Sequence, residues 1–217
     1  MNSILVRRLA ALIPVALFVG ATSATAAPIL VDFESDATLV NLANGFSSAA
    51  TPGVRFSDTS GADLIIINSA TVSNGTNALA VFNDHDDSAL LIELDFVANQ
   101  ISLDFGNDDP LFSLASDQAV LTTFLGGTQV GEVMVALNRN SAMDQNIAFD
   151  GANFDSATLK FAVNPLVGLT EVVDNVSITS AIPEPSAALV FAVGALVLGG
   201  VHGRRASTRV KPRGVRR

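Results

Sequence analysis

The segment Leu90-Leu-Ile-Glu-Leu-Asp-Phe96 decides the fold class. Leu90, Ile92, Leu94 and Phe96 fall on one side of an extended chain, against Leu91, Glu93 and Asp95 on the other. That period-two pattern belongs to a strand with one face on a core. The same alternation recurs at 101–105, 133–137 and 157–163, and shorter apolar runs at 29–33, 54–56, 64–67, 78–82, 120–125, 147–149 and 172–179 read as further strands. Turn formers separate them: Asn44-Gly45, Asn74-Gly75, Gly106-Asn-Asp-Asp-Pro110 and Gly126-Gly127, the last placed for a tight hairpin. Between Pro28 and Pro183 no stretch carries a 3.6-residue period. Roughly ten short strands with such spacing predict an all-β ectodomain over residues 27–181, a β-sandwich of jelly-roll type.

The chain has 217 residues, enough for one domain of ordinary size with appendages. Cysteine is absent, which excludes a disulfide scaffold, a thiolate metal site and a cysteine nucleophile. Tryptophan and tyrosine are absent too, and His85 and His202 are the two histidines. Charge is segregated. All 21 acids lie between Ala27 and Pro185, where Arg55, Arg139 and Lys160 are the only bases, so that stretch carries 3 − 21 = −18. Such a body repels phosphate backbones, and no nucleic-acid partner is expected.

The basic residues at the two ends have a different logic. Arg7-Arg8, the apolar run 9–19 and the small residues up to Ala24-Thr-Ala26 form a charged, an apolar and a cleavage region in turn. Residues 1–26 are therefore expected to be a signal peptide removed on export. Residues 186–203 carry no formal charge with His202 neutral, and at ~1.5 Å per residue they extend ~27 Å as a helix, the thickness of a thin bilayer core. Seven bases from Arg204 to Arg217 follow, as on the cytoplasmic flank of a span. The prediction is one C-terminal transmembrane helix that anchors an exported body to the inner membrane.

Directly before that span stands Pro183-Glu184-Pro185, a stiff, exposed junction that cannot continue a helix. The order Pro183-Glu184-Pro185, apolar helix, Arg204-Arg205 resembles the PEP-CTERM sorting tail of Gram-negative bacteria that make exopolysaccharide. Residues 182–217 carry this resemblance, though family tails usually stop soon after the Arg cluster and this one continues to Arg217. The resemblance implies an exosortase, a transpeptidase-like membrane protease, as partner. Cleavage near the Pro-Glu-Pro junction would release the body to the cell surface or the exopolysaccharide matrix.

Val31-Asp-Phe-Glu34 and Val173-Asp-Asn-Val-Ser-Ile178 resemble the first and last strands of jelly-roll carbohydrate-binding modules. The resemblance implies a structural calcium ion held by Glu34 and Asp174, with Asp32 in reserve. Oxygen ligands suit such a hard cation, and the alternative is that these acids are ordinary solvated residues. Asn83-Asp-His-Asp-Asp87 is the densest polar run, but it lacks the sixth-position glycine of an EF-hand loop and reads as an acidic turn. Gly-x-Ser-x-Gly is absent and no acid pair stands in a distinctive context, so no catalytic residue is assigned. Without Trp or Tyr there is no flat stacking platform for sugar rings; Phe46, Phe112 and Phe154 lie outside the regular strands and are expected to cap the sandwich. The function expected is a non-enzymatic surface or matrix protein held in exopolysaccharide. The alternative is a secreted hydrolase or calcium-dependent carbohydrate-binding protein acting on matrix polysaccharide.

Overall fold

The structure, a computed structural model, describes residues 26–82, 88–163 and 169–181. The signal segment up to Thr25, the acidic run 83–87 and the sorting tail 182–217, with Pro183, Glu184, Pro185, Arg204 and Arg205, lie outside the described residues. Among the described residues every regular element is a strand, and no helix is long and apolar enough to cross a membrane.

Ten strands follow in order: β1 Ile29–Val31, β2 Asn41–Leu42, β3 Val54–Asp58, β4 Leu64–Asn68, β5 Asn77–Val81, β6 Leu90–Gly106, β7 Gln118–Leu125, β8 Thr128–Ala136, β9 Gln145–Ala162 and β10 Val172–Ser180. All pairings are antiparallel, along a path β2-β4-β5-β10-β6-β9-β7-β8, with β1 on β10 and β3 on β6. The 17 residues of β6 and 18 of β9 are too long for one layer, since strands usually run ~3–10 residues. Each changes neighbours midway. The first half of β6 pairs with β3 (Val54↔Leu94), and its second half with β10 (Ile178↔Ile101). Between Glu93 and Ala98 its register with β9 slips, as at a bulge, which bends a strand and raises its twist.

The ladder thereby folds over into a sandwich. Inward residues of both layers share one apolar core, including Phe33 after β1, Phe56 on β3, Ile66 on β4, Leu103 on β6 and Leu121 on β7. Within it the rings of Phe105 and Phe161 lie 5.9 Å apart, and Phe33 meets Phe56 edge-on at 5.3 Å.

The sequence divides β6 and β9 into four pieces, and the structure joins them into two. Asp150-Gly-Ala-Asn-Phe-Asp-Ser156 has the composition of a turn, yet it continues β9. Phe154 explains why. Its fully buried ring packs on Phe149 at 5.9 Å, and that burial outweighs weak local strand propensity. Gly126-Gly127 closes the β7–β8 hairpin as expected, with φ of 56° and 77° between the paired Leu125 and Thr128.

Gly131 on β8 is the tightest point of the packing. A Cβ there would overlap the Phe149 ring and stand 2.8 Å from Thr123 Oγ1. Gly131→Ala should therefore cost about 1–3 kcal/mol by overpacking, and adding Phe149→Leu should return part of that loss. Thermal melts check this; a Gly131→Ala chain that melts with the parent would contradict the packing of β8 on β9.

Candidate binding face and cation site

Three strands build the outer face of one layer. On β6 the outward positions are Gln100, Ser102 and Asp104; on β9 they are Asn146, Ala148 and Asp150; on β10, Ser177 and Thr179. The register sets them in rows, Thr179–Gln100–Asp150 beside Ser177–Ser102–Ala148. These small polar side chains leave a shallow cavity of about 250 Å³, lined also by Ile101 and Phe149. Leu30 of β1, 51% exposed, stands opposite Ser177 and gives the face one apolar flank. The lining offers an amide, three hydroxyls and one carboxylate, so it can donate and accept hydrogen bonds toward a hydroxyl-rich ligand.

The next row joins this face to the acids singled out in the sequence. Asp174 pairs with Asp104, which pairs with Asn146. Asn146 Nδ2 and Asn175 Nδ2 donate to Asp104 at 2.9 and 3.0 Å. After Asp174 the register slips, and Asn175 takes a positive φ of 50°, a conformation Asn tolerates better than most residues. The slip presents its backbone N–H to Asp174 Oδ1 at 2.7 Å, while the Thr76 hydroxyl donates to Asp174 Oδ2 at 3.1 Å.

Glu34 reaches the same region from the end of β1. Phe33, buried and at φ 55°, turns the chain there. Glu34 Oε1 then accepts from Asn77 N at 3.0 Å, next to Thr76. Asp32 serves the local turn instead, accepting from Glu34 N at 3.3 Å. Glu34 and Asp174 are thus brought together, and Asp32 is not.

Asp174 is 3% exposed, and its carboxyl is pushed up to about 6. Burial is the main cause, and the charges of Glu34 and Asp104 add to it; the bonds from Asn175 and Thr76 pull the other way. Among the described residues no base acts on this carboxyl. A buried carboxylate facing two like charges fits a hard cation, which would supply the missing compensation. Among the described residues no three His, Asp or Glu side chains converge as a ready metal cluster. An ion at Glu34 and Asp174 would therefore complete its shell with hydroxyl, main-chain and water oxygens.

Of the irregularly placed phenylalanines, Phe154 is core, Phe46 packs beside Phe56 at 6.5 Å, and Phe112 is 51% exposed. The groove residues escaped the sequence reading. Their only signal was that the outward positions of 100–102 and 177–179 are uncharged, three of them small hydroxyl residues, where exposed strand faces usually carry longer charged side chains.

Neither the protein-family profiles nor the curated proteins include a match to this chain. Solved structures do resemble it. An arabinose-bound α-L-arabinofuranosidase of family GH51 aligns with 71% of this chain at 16% identity and a TM-score of 0.48; the chain spans about a quarter of that enzyme, 26%. A DUF4465 family protein from Bacteroides caccae aligns over 72% of this chain and 99% of its own, at 13% identity and TM-score 0.43. The xylan-binding module CBM15 covers 73% and 99%, at 12% identity and TM-score 0.40. These are distant likenesses, and no ligand or residue role passes from them to this chain.

The shift on Asp174 fixes the sign of a pH dependence. Its folded pKa lies above the ordinary 3.8, so its contribution to stability is complete below that value and is lost as pH rises through about 6. In EDTA the melting temperature should fall between about pH 4 and pH 7, by no more than about 3 kcal/mol in stability. Asp174→Asn should flatten that fall. An identical slope in the variant would assign the dependence to other groups.

Proposed function

We propose that this is an exported, non-enzymatic surface or matrix protein that binds polysaccharide on the β10–β6–β9 face. The groove carries the reading. Gln100, Ser102, Asp150, Ser177 and Thr179 present hydrogen-bonding groups at the spacing of adjacent strands, with the exposed Leu30 beside them for the C–H face of a ring. Its 250 Å³ is below the ~300–1,000 Å³ of sites that engulf a drug-sized ligand. It suits one residue of a chain whose remainder stays in solvent. Glycosidic cleavage needs two carboxyl groups across the bond, and Asp150 is the single acid in this lining. Binding is favoured over turnover on that ground.

Full-length chain in detergent should retard on gels containing the producing cell's exopolysaccharide. Gln100→Ala with Asp150→Ala should weaken this by about tenfold or more, from ~1–3 kcal/mol per polar group left unpaired. Unchanged retardation would remove the groove from the reading, and release of new reducing ends would make the protein a hydrolase.

The tail supplies the route to the matrix. On this reading residues 1–26 direct export, the span within 186–203 holds the chain in the inner membrane, and an exosortase reads Pro183-Glu184-Pro185. Arg204 and Arg205 hold the orientation. Glu184→Ala lies outside the span, so it should leave insertion intact and leave the body full-length in a host with exosortase, where the parent chain is shortened and released. A parent chain that stays full-length and membrane-bound in that host would make the segment a plain anchor.

Glu34 and Asp174 are proposed to hold a structural calcium ion, with Thr76 beside it. The ion would tie the end of β1 to β10 and remove the cost of ionising Asp174. Calcium added to the pH series should accordingly abolish the fall in stability of the parent chain between about pH 4 and pH 7 and leave the slope of the Asp174→Asn series with pH unchanged.

A further inference from the structure

β3 alternates cleanly: Val54, Phe56 and Asp58 are buried, Arg55 and Ser57 less so. A carboxylate thus occupies a register position of core type, and Asp58 is only 4% exposed. Its Oδ1 accepts from Ser60 N at 3.0 Å, whereas its Oδ2 is buried with no hydrogen-bond partner among the described residues. An oxygen so placed has lost its water without replacement, a costly arrangement unless something else compensates it.

The loop that follows is built around this oxygen. The Asn44 side chain fixes it from three directions: Oδ1 accepts from Asp58 N at 2.8 Å, and Nδ2 donates to Asp58 O at 3.1 Å and Gly61 O at 2.8 Å. Gly61 has a φ of +134°, open to glycine and strained for other residues. A Cβ at Gly61 would stand 2.7 Å from Asp58 Oδ2 and 3.8 Å from Asp63 Oδ1. Both carboxylate oxygens therefore lie beside the Gly61 main chain, which comes this close only because glycine carries no side chain. Arg55, three residues before Asp58, is engaged elsewhere, with Asp95 and Glu93. Arg139 bonds Ser113 and the carbonyl of Pro110.

We infer that the Asp58–Asp63 loop is a second cation site, one for a divalent ion of the calcium type. Asp58 Oδ2 and Asp63 Oδ1 are its charged ligands, and main-chain and water oxygens complete the shell. All-oxygen donors select a hard ion, and a loop offering two carboxylates suits the larger, geometrically tolerant Ca²⁺ better than Mg²⁺. The position has a structural consequence. β3 pairs with β6 in one layer while β4 pairs with β5 in the other, so the ion clips the connection by which the chain crosses between layers. It is distinct from the Glu34–Asp174 position and does not depend on the polysaccharide reading.

The test counts ions in full-length chain held in detergent, stripped with EDTA and dialysed against radioactive calcium. Asp174→Asn serves as the parent, so that the other position is silent. This parent should still bind one calcium per chain, and its melting temperature should rise with calcium. Adding Asp58→Asn should abolish both. Asp63→Asn, which leaves the buried Asp58 and Gly61 in place, should weaken binding at least tenfold, and it guards against loss of folding in the Asp58 variant. Calcium retained in full by the Asp58→Asn chain, or no calcium bound by its parent at millimolar concentration, overturns the assignment.

Discussion

The pairing of β6 with β9 is the constraint on which the rest of the structure depends. It runs from Leu90↔Leu159 in one layer to Phe105↔Gln145 in the other. Both strands bend where their register slips, between Glu93 and Ala98, so one ladder supplies the middle of both sheets. The core forms because the fold-over brings Phe105 against Phe161. The groove forms because the second half of β6 lies between β10 and β9 with its polar alternate face outward. A bulge that breaks the ladder locally is thus what lets the same two strands serve both layers.

This also explains how much was legible in the sequence. Strand positions and the Gly126-Gly127 hairpin follow from local chemistry, namely alternation and the two positive φ values that glycine supplies without strain. The continuity of β9 through Asp150–Ser156 does not, since it rests on Phe154 finding Phe149 and on pairing with the distant β6, as in Ala98↔Phe154. Of the candidate site, the meeting of Glu34 with Asp174 was expected from the resemblance of the first and last strands to jelly-roll modules. Thr76, Asp104 and Asn146 were not, because nothing local marks a residue whose role is to meet a strand far away in the chain. The groove was likewise invisible, for its residues are ordinary until three strands set them in rows.

The acidic composition takes on a second meaning in the structure. Read alone, so many acids suggest a solvated surface. Several instead accept from backbone N–H groups, most of them in loops that offer no ladder partner. Asp108, fully buried, accepts from the backbone of Arg139 and of Ser141; Asp117 accepts from Leu114 N at 2.6 Å; Glu171 accepts from Phe161 N at 2.8 Å. These carboxylates hold irregular segments in place, a task more often shared with Ser, Thr and Asn caps. Net charge here measures loop architecture as well as solubility.

Such an arrangement sets many carboxylates against few bases. Three bases against 21 acids in residues 27–185 leave few partners for buried carboxylates, and Arg55 is committed to a surface pairing with Asp95 and Glu93. Carboxylates that accept two or more N–H bonds are compensated by the backbone, as Asp108 is. Asp174, with two like charges near it, and Asp58, with an orphaned oxygen, are not. On the reading proposed above, divalent ions would supply that compensation, and both positions lie where separate strands meet. The same scarcity bears on ligand binding. A groove of hydroxyls, one amide and one carboxylate without a stacking ring would give a bound sugar modest affinity, because most of its hydrogen bonds would replace bonds to water. On the proposed function, retention in a polymer matrix would come from repetition, since a chain with many equivalent residues rebinds a released protein before it diffuses away.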